Sequence, residues 1–297
     1  MKTNPKQNNI DWINKEEYPF EHKYFDSPHG KMHYIDEGEG ESIVFVHGTP
    51  TWSFLYRNYV KFLSGKYRCL AIDHLGFGLS DKPKDFIGTP EAHAKNFSRW
   101  VDALKLEKFT LVVHDFGGPI ALSYAIDHPE KISSIVMFNT WLWETKNNKD
   151  ALRINKILHS TIGNYLYLNT NFSPKYLLKK AFIDQKKLNP KIHRQYKNPF
   201  KNRYDRYGLL KLGKSLIGSS DWFEEQWKRI SNIQNIPVLQ LWGNQDQFIK
   251  IEELKRWKAS LKNAKIIEFN CGHFVQEEAF EHSIKPLSEF LENQIEG

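Results

Sequence analysis

The sequence predicts an α/β chain: a mostly parallel, doubly wound sheet with one helical insertion. Three observations carry this. Short, continuously apolar runs alternate with helix-length amphipathic stretches over the first half. That alternation stops near Asn139 and resumes near Ile236. The residues between contain short amphipathic pieces and no convincing buried strand. Strand–helix units of this length fit a parallel sheet covered on both faces, because only such strands are apolar without alternation.

Taken in order, KMHYIDEG (31–38) reads as a strand ending in a turn, and SIVFVHG (42–48) as a buried strand. A helix with one apolar face follows from about Trp52 to Leu63, then the strand YRCLAID (67–73). The stretch from Thr89 to Leu106 reads as a helix, with Thr89 at the N-cap and Pro90 at the first helical position. FTLVVHD (109–115) is the next strand, followed by a helix from about Gly117 to His128 and the strand ISSIVMFN (132–139). After the insertion come IPVLQLWG (236–243), a helix near Ile251–Leu261, AKIIEFN (264–270) and a last helix near Gln276–Glu292. The simplest organisation is one core, residues 1–140 and 233–297, interrupted by a helical cap at 141–232. An insertion after a strand's C-terminal end sits over the sheet edge where ligands bind in such folds.

Composition narrows the class. At 297 residues and 40% hydrophobic, the chain has material for a sizeable core. No run of about 18 apolar residues reads as a membrane span. The polar start, MKTNPKQNNIDW, lacks the apolar centre of a signal peptide. Cys69 and Cys271 form no CxxC pair, which argues against a disulfide framework or cysteine-rich zinc site. They read as reduced thiols of a cytoplasmic protein. The net charge of +7 is uneven, since residues 141–232 hold 19 Lys and Arg against 7 Asp and Glu. These charges are scattered among Asn, Leu and Tyr without a compact stripe or nucleic-acid motif. They read as a solvated surface, and no nucleic-acid partner is expected.

The chemistry is read from LVVHDFGGPIAL (111–122). An apolar strand ends on a carboxylate and turns at once into a glycine-opened helix. Such a strand–turn–helix junction presents the turn residue at the top of the sheet, as in the nucleophile elbow of the α/β-hydrolase fold. Asp115 holds the nucleophile position, although Val113 replaces the first glycine of the usual pattern. Taken alone, an Asp here also fits a helix N-cap. HGTPTW (47–52) follows the strand ending at Val46, where this fold donates a backbone N–H to an oxyanion hole. Thr49 and Phe116 occupy the two donor positions. Asp246 in LWGNQDQF and His273 in FNCGHFVQEE each follow a later strand. The order nucleophile–acid–base, Asp115…Asp246…His273, is that of α/β-hydrolases.

These motifs resemble the haloalkane dehalogenase family, from about His22 to Glu292 and most closely in HGTPTWSFLYRN, DHLGFGLSDKP, VVHDFGG and CGHFVQEE. The insertion does not match motif by motif. The resemblance implies Asp115 as nucleophile, His273 as general base and Asp246 as its orienting acid, with no metal or organic cofactor. A small apolar substrate and water are the implied reactants. An Asp nucleophile suits this chemistry because attack on saturated carbon forms an ester that activated water can hydrolyse, whereas Ser would form a stable ether.

The pattern breaks at the leaving-group cradle. Family members usually have Trp after the nucleophile, with a second donor from an Asn following the His-Gly or a Trp of the cap. This chain has Phe116 and Thr49 there. Trp141 and Trp143, at the entry to the insertion, are the substitute candidates for halide binding. Epoxide hydrolases of the same fold use cap tyrosines as acids, and Tyr165, Tyr167, Tyr176, Tyr196, Tyr204 and Tyr207 all lie in the insertion. A β-lactone-cleaving relative is a further alternative. A non-catalytic binding protein on this fold is not expected to keep all three triad positions.

Overall fold

The computed structural model describes residues 10–295. The start of the chain through Asn9, which carries most of the polar leader reading, lies outside the described residues. The sheet contains β1 (Lys23–Ser27), β2 (Gly30–Glu37), β3 (Ser42–Val46), β4 (Arg68–Ile72), β5 (Phe109–Val113), β6 (Ile132–Phe138), β7 (Val238–Gly243) and β8 (Lys265–Phe269). Their spatial order is β1-β2-β4-β3-β5-β6-β7-β8. The β1–β2 and β2–β4 pairs are antiparallel, and every pair from β4 to β8 is parallel. β1 was not foreseen from the sequence, because KYFDS is a half-exposed edge strand with no apolar run.

The inner parallel strands β3 and β5 are apolar on both faces because two cores flank them, whereas β8, at the sheet edge, is half-exposed. In β3, Val44 and Val46 join one cluster while Ile43 and Phe45 join the other. β5 divides the same way, with Leu111 and Val113 on one face and Val112 on the opposite face. The covering helices include α1 (Arg57–Leu63), α2 (Pro90–Ala103) and α3 (Gly117–Asp127). Trp52 lies outside the helix foreseen for it: it precedes a 3-10 turn, Ser53–Tyr56, that leads into α1. Thr89 caps α2, its hydroxyl accepting from the Ala92 N–H, with Pro90 at the first turn as the sequence requires.

Between β6 and β7 the described chain holds no strand. It holds α4 (Lys149–His159), α5 (Thr161–Thr170), α6 (Pro190–Lys197), α7 (Tyr207–Gly218) and α8 (Ser220–Lys228) with short turns between them. This segment crosses the C-terminal edge of the sheet. The Trp52 indole donates to the Gln195 carbonyl at 3.1 Å, and the His273 N–H donates to the Ala181 carbonyl at 3.0 Å. The chain closes with α9 (Ile251–Ser260) and, after a short helical turn at Val275–Glu278, α10 (Phe280–Ile295).

Candidate active site

Asp115 lies in the turn out of β5, two residues after Val113, with φ of +52°, a left-handed conformation that a non-glycine residue seldom adopts. Several bonds hold it there. Its N–H donates to the Asn139 carbonyl at 2.9 Å, and its own carbonyl accepts the Thr140 hydroxyl at 2.7 Å. The elbow is thus pinned to the end of β6. The side chain caps nothing: α3 begins after Phe116 without a side-chain cap bond, so the N-cap alternative does not describe Asp115. Gly48 and Gly118 permit the close approach. A Cβ on Gly48 would collide with the Asp115 carboxylate, and one on Gly118 with the Thr140 hydroxyl.

The carboxylate has two unlike oxygens. Oδ1 accepts the Thr49 N–H at 2.7 Å, and the Phe116 N–H also bonds the carboxylate. Oδ2 stands 3.6 Å from His273 Nε2, beyond a direct hydrogen bond. Burial raises the Asp115 pKa above its ordinary value, and His273 with the two N–H donors only partly opposes this.

His273 Nδ1 lies 2.7 Å from Asp246 Oδ2. Asp246 is itself fixed by the Phe248 N–H at 2.7 Å and by the Asn139 amide at 2.9 Å. Asn139 in turn accepts the Gly243 N–H through its Oδ1, tying β6 to β7. Burial disfavours the imidazolium, but the charge and hydrogen bond of Asp246, helped by Asp115, outweigh it and raise the His273 pKa. The loop carrying His273 is anchored by Glu278, whose carboxylate accepts the N–H groups of Gly272, Ile183 and Asp184, each at 2.8 Å.

A cavity of about 400 Å³ opens on Asp115 and His273. The helical segment supplies much of its wall, including Ile154, Leu158, Leu166, Phe172 and Leu177. The two candidate tryptophans both line it but differ in their bonds. The Trp143 indole interacts with the Glu253 carboxylate, and its ring lies under Arg256 at 4.7 Å. Trp141 meets Phe116 edge-on at 4.9 Å, is 6% exposed, and its indole N–H has no hydrogen-bond partner among the described residues.

Of the six tyrosines, only Tyr167 lines this cavity. Burial, assisted by the charge of Asp115 and partly opposed by the nearby Ser173 side chain, pushes its phenol pKa up to about 12. Tyr165, Tyr176 and Tyr204 are at least half exposed, Tyr196 bonds Glu277, and Tyr207 packs on a small cluster within the segment. Asn139 and Ser173 were not singled out from the sequence. A polar residue ending an apolar strand is a signal that Asn139 does carry, whereas Ser173 has none.

The family model for the alpha/beta hydrolase fold matches residues 41–280. Haloalkane dehalogenase 2 of Mycobacterium tuberculosis is 31% identical over 268 residues, covering 88% of this chain and 92% of that protein. The chain is a haloalkane dehalogenase-like alpha/beta hydrolase. The crystal structure of haloalkane dehalogenase DatA from Agrobacterium tumefaciens C58 superimposes on this hydrolase with a TM-score of 0.85 at 27% identity, covering 95% of this chain and all of that one. A cis-3-alkyl-4-alkyloxetan-2-one decarboxylase of Shewanella oneidensis is also 31% identical, over 286 residues, covering 92% of this chain and 89% of that protein. The hydrolase is therefore similar both to proteins named for carbon–halogen cleavage and to one named for a four-membered lactone. Among the described residues, no helix is long and apolar enough to cross a membrane.

Proposed function

We propose that this hydrolase cleaves carbon–halogen bonds through a covalent ester on Asp115, with residues 141–232 acting as a cap over a core of residues 1–140 and 233–297. The observation carrying this reading is the asymmetry of the Asp115 carboxylate. Oδ1 is tied by the Thr49 N–H, the Phe116 N–H bonds the carboxylate as well, and Oδ2 lies 3.6 Å from His273 Nε2 at the cavity. The cavity-facing oxygen attacks the substrate carbon, the C–O bond forms as the carbon–halogen bond breaks, and halide leaves. His273, neutral and oriented by Asp246, then removes a proton from water as it attacks the ester carbonyl carbon. The charge that develops falls on Oδ1, which the Thr49 N–H holds. Collapse breaks the bond from the carbonyl carbon to the alkyl-bearing oxygen, which leaves as the alcohol with the proton from His273; the water oxygen stays in the carboxyl group, whose remaining proton is released to restore the carboxylate.

Trp141 is the leaving-group donor in this reading, since it lines the cavity and its buried indole N–H has no partner among the described residues, while the Trp143 indole interacts with Glu253. One observation favours a second reading, ring opening of a strained epoxide or β-lactone. Tyr167 places a neutral phenol on the cavity wall within electrostatic reach of Asp115, where an oxyanion leaving group needs a proton or a hydrogen bond.

The deciding experiment is mass spectrometry of the Asp115 peptide in a His273→Ala variant incubated separately with bromoalkanes, epoxides and β-lactones. An alkyl adduct on Asp115 with stoichiometric bromide supports dehalogenation. An adduct from the epoxide or lactone alone moves the assignment to the second reading. No adduct from any of them removes Asp115 as nucleophile.

A further inference from the structure

The helical segment carries a surface that the chemistry at Asp115 does not use. Seven of the eleven exposed large hydrophobic side chains among the described residues lie between Leu152 and Tyr204. Ile162 is 73% exposed, Tyr165 60%, Ile157 52% and Tyr176 50%. On α5, Ile162, Tyr165 and Asn169 follow one another at helical spacing on an exposed face, while Gly163 and Leu168 turn inward. On α4, Leu152, Arg153, Lys156 and Ile157 form the exposed face, and Ala151 and Leu158 line the cavity.

This surface is cationic and borders the cavity. Residues 149–201 contain ten Lys and two Arg against two Asp and no Glu. Lys156, Lys175, Lys179 and Lys180 are exposed and make no salt bridge within 4.0 Å among the described residues, and Lys175 lies 5.1 Å over the Tyr176 ring. Tyr176 packs on Phe172, a cavity wall residue, and Ile157 is at once exposed and part of that wall.

We infer that the outer face of α4, α5 and the turn at Ser173–Leu177 docks onto an anionic lipid surface, placing the cavity entrance against the bilayer. Three features favour lipid over other anionic partners. Apolar and tyrosine side chains stand out between the charges, which suits insertion at the level of the headgroups. The cations are overwhelmingly Lys, whose long stems reach along an apolar layer to its polar edge. Arg, which supplies the bidentate contacts of nucleic-acid and phosphopeptide recognition, is scarce. The docking is interfacial, consistent with the lack of a spanning helix among the described residues. Resting on the proposed chemistry, it also gives apolar substrates a path from the bilayer into an apolar cavity without crossing water.

Vesicle flotation of the full chain tests the docking whatever the substrate proves to be. Vesicles of phosphatidylcholine mixed with phosphatidylglycerol should carry the protein, and vesicles of phosphatidylcholine alone should not. Near 1 M salt, where the screening length is about 3 Å, binding should weaken at least about tenfold. The triple variant Lys175→Glu, Lys179→Glu, Lys180→Glu should lose at least about 100-fold, since each cation near an anionic surface contributes roughly fivefold. Ile162→Ser with Tyr165→Ser should lose at least about tenfold through reduced apolar insertion. These residues are exposed and outside the site, so melting temperature should hold in each variant. Absence of binding to anionic vesicles at low salt overturns the inference, as does equal binding to neutral ones. Full binding by the Ile162/Tyr165 variant overturns the insertion face and leaves only general charge attraction. Displacement from vesicles by equimolar RNA or duplex DNA assigns the patch to nucleic acid instead. Failure of the Asp115 adduct experiment leaves all these outcomes readable.

Discussion

Two buried His–Asp pairs in this molecule look alike but stand in different surroundings. His33 Nδ1 lies 2.8 Å from Asp73 at the end of β4, and His273 Nδ1 lies 2.7 Å from Asp246 beyond β7. What differs is the second ring nitrogen. His33 Nε2 is bonded to His22 at 2.9 Å, whereas His273 Nε2 faces the Asp115 carboxylate and the cavity. The carboxylates Asp73 and Asp115 contrast in the same way. Asp73 accepts the Ser53 and Leu79 N–H groups as well as His33, and these partners overcome burial to hold its pKa below the ordinary value. Asp115 accepts the Thr49 N–H on Oδ1, its Oδ2 lies 3.6 Å from His273 Nε2 beside the cavity, and burial raises its pKa. A saturated carboxylate ties the fold together, while a half-satisfied one beside a cavity retains a lone pair for chemistry.

The largest expected effect separates the two carboxylates. Asp115→Ala should lower turnover by more than about 10⁴-fold, the scale of losing a nucleophile, with a folded protein by circular dichroism. Asp73→Asn should retain turnover per folded molecule but lose about 3–5 kcal/mol of stability, as expected when one partner of a buried charged pair is removed. Equal loss of turnover in the two, with both folded, would erase the distinction.

Next in size is the contrast between the histidines. His273→Ala should stop the reaction after ester formation, so a burst of one halide per active site precedes a turnover reduced at least about 10³-fold. His33→Ala should show no ester accumulation, and its defect should appear in thermal melting.

pH sharpens the same comparison. The base must be neutral and its pKa is raised, so the hydrolysis step should fall with decreasing pH, with a midpoint above the ordinary ~6.5. The stability linkage has the opposite sign. Protonated His273 stabilises the folded state fully below about 6.5, and that contribution is lost as pH rises through the raised pKa. Single-turnover rates and melting temperatures over about pH 5–9 should therefore move in opposite directions around this group. A hydrolysis rate flat across that range would exclude His273 as the base.

The smallest expected effect concerns the leaving-group donor. Trp141→Phe removes an unpartnered N–H while keeping the edge contact with Phe116, and should slow halide release by roughly 10- to 150-fold, the range for one hydrogen bond to a charged group. Phe116→Trp should restore part of that loss on chloroalkanes. Trp143→Phe, whose indole already interacts with Glu253, should change chloride release by less than about threefold. Similar rates for Trp141→Phe and Trp143→Phe would show that neither indole binds the leaving group.

The sequence by itself determined the sheet and the chain order of Asp115, Asp246 and His273. Burial on both faces imposes a continuous apolar run, and the end of such a run marks where a loop residue reaches the sheet edge, so both signals are local. It equally marked Thr49 and Phe116, whose contribution is a backbone N–H and so depends on position more than on side chain. Tertiary structure alone decided which of two neighbouring tryptophans has a free N–H. Glu253, about a hundred residues away in the chain, interacts with one, and the other has no partner among the described residues. It likewise chose Tyr167 from six tyrosines, because facing the cavity depends on how α5 packs, and helical periodicity marks a buried face without saying what lies opposite it. The difference between Asp73 and Asp115 was hidden for the same reason. Each ends its strand in a similar apolar context, and only the folded arrangement of donors around it decides whether the carboxylate is satisfied or left to react.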